Sequence, residues 1–164
     1  MRIGVISDTH IPFFASEIPM EVREGLLSCD LIVHAGDIVE SAVLDEFRKI
    51  AHTNAVKGNM DSDEIKRTLP ESLVFDANGK KVGVVHGKGS GKTVLSWVKN
   101  FFTDKMDIVI FGHSHMPFNE KIGDTLFFNP GSATDNIFSK KQTYGIIHIE
   151  GNDVRGEIVE ISRG

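Results

Sequence analysis

Five short apolar runs in this chain each stop just before a side chain able to bind a metal. That recurrence constrains the fold more than any single motif. The runs are Arg2 to Ile6, Asp30 to His34, Asn54 to Lys57, Lys81 to Val85 and Asp107 to Phe111. They lead in turn to Asp8-x-His10, Asp37, Asn59, His86 and His113-x-His115. Short Val- and Ile-rich runs read as buried strands, and the carboxyl edge of such strands is where ligand sites form in open α/β sheets. Gly36, Gly58, Gly87 and Gly112 each adjoin one of these residues, as expected where backbone turns sharply and approaches something closely. Taken singly, Asp8, Asp37 and Asn59 suit turns or helix caps, and each histidine suits a hydrogen-bonded structural role. Together they bring two carboxylates, four imidazoles and an amide to one edge, and capping requires no histidine.

Between the runs, Pro19 opens a helix through Val22, Leu26 and Leu27, and Ser41 caps one carrying Val43, Leu44, Phe47 and Ile50. Asp63 to Thr68 is a helical turn, and Thr93 to Phe102 is helical. Leu73 to Phe75 and Lys81 to Val85 flank an Asn78-Gly79 turn. Leu126 to Phe128 is a further strand, and Tyr144 to Ile149 with Val154 to Ile161 form a closing hairpin. Strand-helix alternation implies parallel pairing and the hairpins antiparallel pairing. The expectation is therefore two mixed sheets packed together with helices outside, in one domain spanning 1-164. Phe13 and Phe14 fit either a loop tucked onto the body or a self-association patch.

A net charge of −5 and the lack of a basic-aromatic stripe argue against long nucleic acid as a partner. Cys29 is the only cysteine, so no intrachain disulfide forms and a reducing cytoplasm is the expected location. No charged leader precedes an apolar stretch and no apolar run reaches about 18 residues, so no membrane association is expected.

Seven donors exceed what one zinc ion needs, which implies two metals. Mixed oxygen and nitrogen donors suit Mn²⁺, Fe, Co, Ni or Zn better than Mg²⁺ or Ca²⁺, and of these Mn²⁺ is the expectation. A metal pair can generate hydroxide at neutral pH and clamp an in-line phosphoryl displacement. Phosphoester hydrolysis is the reaction class that follows.

The ordered set Asp8-x-His10, Gly36-Asp37, Gly58-Asn59, His86-Gly87 and Gly112-His113-x-His115 resembles the calcineurin-like metallophosphoesterases. The opening Ile3 to His10 and the later Asn129-Pro130-Gly131-Ser132 look like its small bacterial and archaeal phosphodiesterases. The resemblance implies a four-layer αββα sandwich of two mixed β-sheets flanked by helices. By the same resemblance Asp8, His10 and His115 hold one metal, Asn59, His86 and His113 the other, and Asp37 bridges them. A hydroxide between the ions attacks phosphorus, which makes Asp37, Asn59 and His86 catalytic through the metals. Small members of the family often form dimers or tetramers, so a homo-oligomer is consistent with it.

Two positions depart from the family pattern. Larger relatives have histidine after Gly-Asn, where this chain has Met60 and then Asp61. The missing imidazole disfavours poor leaving groups and favours small phosphodiesters over alkyl monoesters. Asp61 is expected to cap the following turn. Many small relatives have His-Gly-His where this chain reads His86-Gly87-Lys88, so Lys88 is expected to offer a cation to a phosphate oxygen; Asn59 is the other residue expected to bind substrate. Two other readings compete. Gly91-Lys92-Thr93 resembles part of a phosphate-binding P-loop, but its spacing fails. The scaffold subunit of the eukaryotic retromer resembles this fold and serves as an interaction module, which makes a catalytically idle module the alternative function.

Overall fold

The computed structural model describes residues 1–162. Its first sheet forms around β1 (Arg2–Ile6), which pairs in parallel with β2 (Leu31–His34), itself parallel to β3 (Thr53–Ala55). On the other side β1 pairs antiparallel with β9 (Thr143–Glu150), and β10 (Asp153–Glu160) closes the order β10-β9-β1-β2-β3. The second sheet runs β4 (Ser72–Ala77), β5 (Lys80–Val85), β6 (Ile108–Ile110), β8 (Thr125–Asn129) and β7 (Phe118–Ile122). Its central strands β5, β6 and β8 are parallel, and its edges β4 and β7 are antiparallel.

Side-chain alternation decides how the sheets stack. Ile3, Val5, Leu31 and Val33 face the second sheet and share one core with Val82, Val84, Ile108, Ile110 and Phe128. The outer face of the first sheet, through Ile6 and Ile32, covers itself with α1 (Met20–Leu26), α2 (Ser41–Arg48) and α3 (Asp63–Thr68). These helices contribute Val22, Leu26, Val43, Leu44, Phe47 and Ile65. The outer face of the second sheet, through Val85, Val109 and Phe127, covers itself with Val94 and Val98 of α4 (Thr93–Lys99). The result is the expected four-layer αββα arrangement, and each fully buried Ile, Val or Phe contributes about 1.5–3 kcal/mol. Gly4 is needed for the close approach of α1, because a Cβ there would sit 2.3 Å from Leu26 Cδ2.

Four local expectations change. Ser41 is the first residue of α2 rather than its cap; Glu40 takes that position, with no side-chain capping bond. The fourth helix ends at Lys99 because Phe101 and Phe102 leave it to pack against the second sheet. The fourth strand is longer than Leu73 to Phe75 because it pairs residue by residue with β5. Strand β7 has no apolar run to announce it: its three central residues, Asn119, Glu120 and Lys121, are exposed and it exists through pairing with β8.

Candidate metal centre

The parallel strands of both sheets end at the same side of the sandwich, and the loops that follow them hold each other in place. Asp8 N–H donates to the Gly36 carbonyl and His10 N–H to the Asp37 carbonyl, so the first loop is tied to the second. Gly112 N–H donates to the His86 carbonyl, tying together two loops of the other sheet. The approach is close: a Cβ on Gly58 would lie 2.2 Å from Asp37 Oδ1, and one on Gly112 would lie 1.8 Å from Ser7 Oγ. Asp8, His10, Asp37, His113 and His115 all have positive φ, between 44° and 68°. Backbone of this kind costs about 1–2 kcal/mol per non-glycine residue, and it clusters at functional sites.

These loops bring the predicted residues into two adjoining groups. Asp8, His10 and His115 form one; Asp37, His86 and His113 form the other, and within each group the donor atoms lie within 4.8 Å of one another. Asn59 joins the second, with Oδ1 3.1 Å from His86 Nε2 and 3.0 Å from His113 Nδ1. Asp37 stands between the groups, its Oδ2 3.5 Å from His10 Nε2 and 3.3 Å from His86 Nε2. In the first group His10 Nε2 and His115 Nε2 are 3.3 Å apart, and Asp8 Oδ1 is 3.5 Å from His115 Nε2.

The donor set fits divalent metal. His86 Nδ1 donates to the Ala35 carbonyl at 2.7 Å, His113 Nε2 to the Gly89 carbonyl at 2.8 Å, and His115 Nδ1 to Asp135 Oδ2 at 2.7 Å. With those nitrogens protonated, the opposite ring nitrogens present lone pairs to one another and to carboxylates, an arrangement of acceptors that calls for a cation. Asp8 Oδ1 is the one buried side-chain polar atom among the described residues with no hydrogen-bond partner. Donor separations of 3.0–3.5 Å match ligands each about 2.1 Å from a shared ion. The field agrees. Burial disfavours a charged His86, yet its hydrogen bond to Asp37 and the charges of Asp8 and Asp37 raise its pKa to about 9, so without metal a proton on Nε2 takes the place that the carboxylates prepare for a cation. Burial pushes the Asp37 pKa up, but His86 and the Met60 N–H outweigh it and hold the carboxyl below its ordinary range. For His10 burial prevails and lowers the pKa.

Sequence reasoning missed the residues that orient these donors. Asp135 is fully buried; its Oδ2 holds His115 while its Oδ1 accepts from the N–H groups of Ile137 and Phe138. Ser132 Oγ donates to the Asp8 carbonyl and Thr134 Oγ1 to the Thr9 carbonyl, both at 2.7 Å. Asn129 Nδ2 donates to the Gly112 carbonyl and to Ser114 Oγ, both at 3.0 Å, so the Asn-Pro-Gly-Ser stretch braces the ligand loops. Asp61 caps no helix, since Ser62 caps α3. Its Oδ1 accepts from Ile38 N–H at 2.6 Å and Val39 N–H at 2.7 Å, and its Oδ2 from Gly58 N–H at 2.6 Å. The loops carrying Asp37 and Asn59 are thereby clamped together.

Lys88 is exposed and lines the same cavity as Asn59, His86 and His113. Phe14 is tucked against the site, its ring 4.8 Å from His10 and 6.0 Å from His115, whereas Phe13 is exposed. His34 is in neither donor group; it is buried behind them and bonded to Thr9 Oγ1 and Gly36 N–H.

The calcineurin-like phosphoesterase superfamily domain matches residues 1–152. The chain belongs to this superfamily. A probable metallophosphoesterase of Methanothermobacter thermautotrophicus is 35% identical over 97% of this chain and 92% of its own length. A phosphodiesterase of Methanocaldococcus jannaschii is 26% identical over 98% of this chain and all of its own. Among solved structures, wild-type Vps29 from Entamoeba histolytica complexed with zinc superposes with a TM-score of 0.74 at 23% identity, over 98% of this chain and 99% of its own. The likeness in structure shows a shared fold, and the family and the curated relatives support a metal-dependent phosphoesterase.

Proposed function

We propose that the protein is a phosphodiesterase acting on small phosphodiesters with two divalent transition metals, Mn²⁺ preferred. The observation that carries this reading is the cluster of seven potential metal ligands with Asp37 set between its two halves. Asp8, His10 and His115 would hold one ion, and Asn59, His86 and His113 the other, with Asp37 shared. Bound there, two ions supply Lewis acidity toward phosphoryl oxygens and lower the pKa of water. The chain's own part is to aim the donors through Asp135, Ala35 and Gly89 and to offer Asn59 and the Lys88 ammonium to the phosphate. Met60 occupies the position where larger relatives have an imidazole, so leaving groups that need no protonation are favoured, and with them diesters over alkyl monoesters.

The test is hydrolysis of bis-p-nitrophenyl phosphate by chelator-stripped protein with Mn²⁺, Ni²⁺, Zn²⁺ or Mg²⁺ restored, beside Asp37→Ala. Activity that returns with a transition metal and is lost in the variant supports the proposal. Metal bound by calorimetry without turnover under any ion would favour the idle interaction module instead.

A further inference from the structure

The second donor group lines a cavity of about 420 Å³, and the proposed chemistry uses only part of that lining. Asn59, His86 and His113 edge it, and Lys57, Lys66, Lys88, Glu71 and Trp97 line it as well. Three ammonium groups against one carboxylate leave an excess of two positive charges, in a protein whose net charge is −5. Among the described residues none of the three is in an ion pair, whereas Lys49, Lys81, Lys105 and Lys141 each pair with a carboxylate. Lys57 is half-buried, and its Nζ donates to the Lys66 carbonyl at 3.2 Å, which fixes the ammonium and leaves it further donors.

Resting on the phosphodiesterase reading, we infer that this cavity receives a substituent bearing a second phosphate, bound by Lys57 and Lys66, while the scissile phosphate sits at the metals. The preferred substrates are therefore phosphodiesters that carry a further phosphate group. An anion beside two ammonium groups in a concave site gains charge-assisted hydrogen bonds that an uncharged substituent does not, enough for about a tenfold preference.

Thymidine 5′-(p-nitrophenyl phosphate) and its 3′-phosphorylated counterpart differ only in the second phosphate. The Mn²⁺-loaded protein is expected to favour the latter about tenfold in kcat/KM. Lys57→Gln/Lys66→Gln should bring that ratio near one, and Glu71→Gln should raise it. Trp97, the only tryptophan, lies in the cavity wall and reports binding without turnover. Its emission should titrate with thymidine 3′,5′-bisphosphate at about tenfold lower concentration than with thymidine 5′-monophosphate. Equal titrations, or a substrate ratio unmoved in the double variant, would overturn the inference while leaving diester hydrolysis standing. A tenfold difference in the Trp97 titrations without hydrolysis under any metal would support the cavity's role and sink the phosphodiesterase reading.

Discussion

Replacing Asp61 with asparagine separates bracing of the site from chemistry at it, because Asp61 touches no donor atom yet joins the loops that carry two of them. The carboxylate is 4% exposed and accepts three N–H bonds of 2.6–2.7 Å, from Ile38, Val39 and Gly58. Asparagine keeps the shape but has one acceptor oxygen. If that oxygen serves Ile38 and Val39, the amide presents N–H to Gly58 N–H, and a buried donor loses its partner at about 1–3 kcal/mol. The two surviving bonds change from charged to neutral acceptors, at roughly 1 kcal/mol each. The sum is about 3–5 kcal/mol, a large share of the 5–15 kcal/mol typical of a domain. The expected result in metal-free protein is a thermal midpoint lowered by roughly 10 °C. Metal titration should show weaker binding as the Asp37 and Asn59 loops loosen. A midpoint within 2 °C of wild type would refute the claim that these bonds clamp the loops.

Asp135→Asn retains an acceptor for Ile137 and Phe138 but turns an amide donor toward His115 Nδ1, which shifts the ring proton to Nε2. Calorimetry should show one metal bound about 10–100-fold more weakly, and unchanged affinity would remove Asp135 from this role. Gly58→Ala drives a Cβ to within 2.2 Å of Asp37 Oδ1 and 2.4 Å of its backbone nitrogen, so it should cost about 3 kcal/mol in urea unfolding. A fully stable, fully metal-binding variant would contradict that packing. Burial lowers the His34 pKa to about 3, so the unfolded chain takes up a proton near pH 6.5 that the folded chain refuses until far lower pH. Stability therefore falls as pH drops through that window, by about 2 kcal/mol between pH 6.5 and pH 5. In metal-free protein His34→Gln should flatten this dependence, and an identical slope would show that another group carries it.

The donors were legible because each follows a buried apolar strand, and strand periodicity is a local property that survives in one dimension. The residues that orient them were not. Asp135 lies 20 positions beyond His115 in an irregular stretch, and nothing in its neighbours marks it as a histidine's partner. Asp61 read as a cap because Asp before a helix usually is one; its bonds run instead to residues 22 and 23 positions away. Strand β7 escaped for a related reason. Its exposed polar centre follows no apolar pattern, and only the partner strand determines it.

The left-handed backbone at five of the donors bears on how such a protein would drift. At about 1 kcal/mol or more each, Asp8, His10, Asp37, His113 and His115 together burden the fold by an amount comparable to its whole margin of stability. While hydrolysis is under selection that burden persists. Once selection lapses, glycine at any of these positions relieves the local backbone strain, at the cost of the hydrogen bonds that Asp8, Asp37, His113 and His115 make. A lineage on this architecture that abandons its chemistry thus recovers part of that burden, while it retains the sandwich and its loop edge as a surface open to other uses.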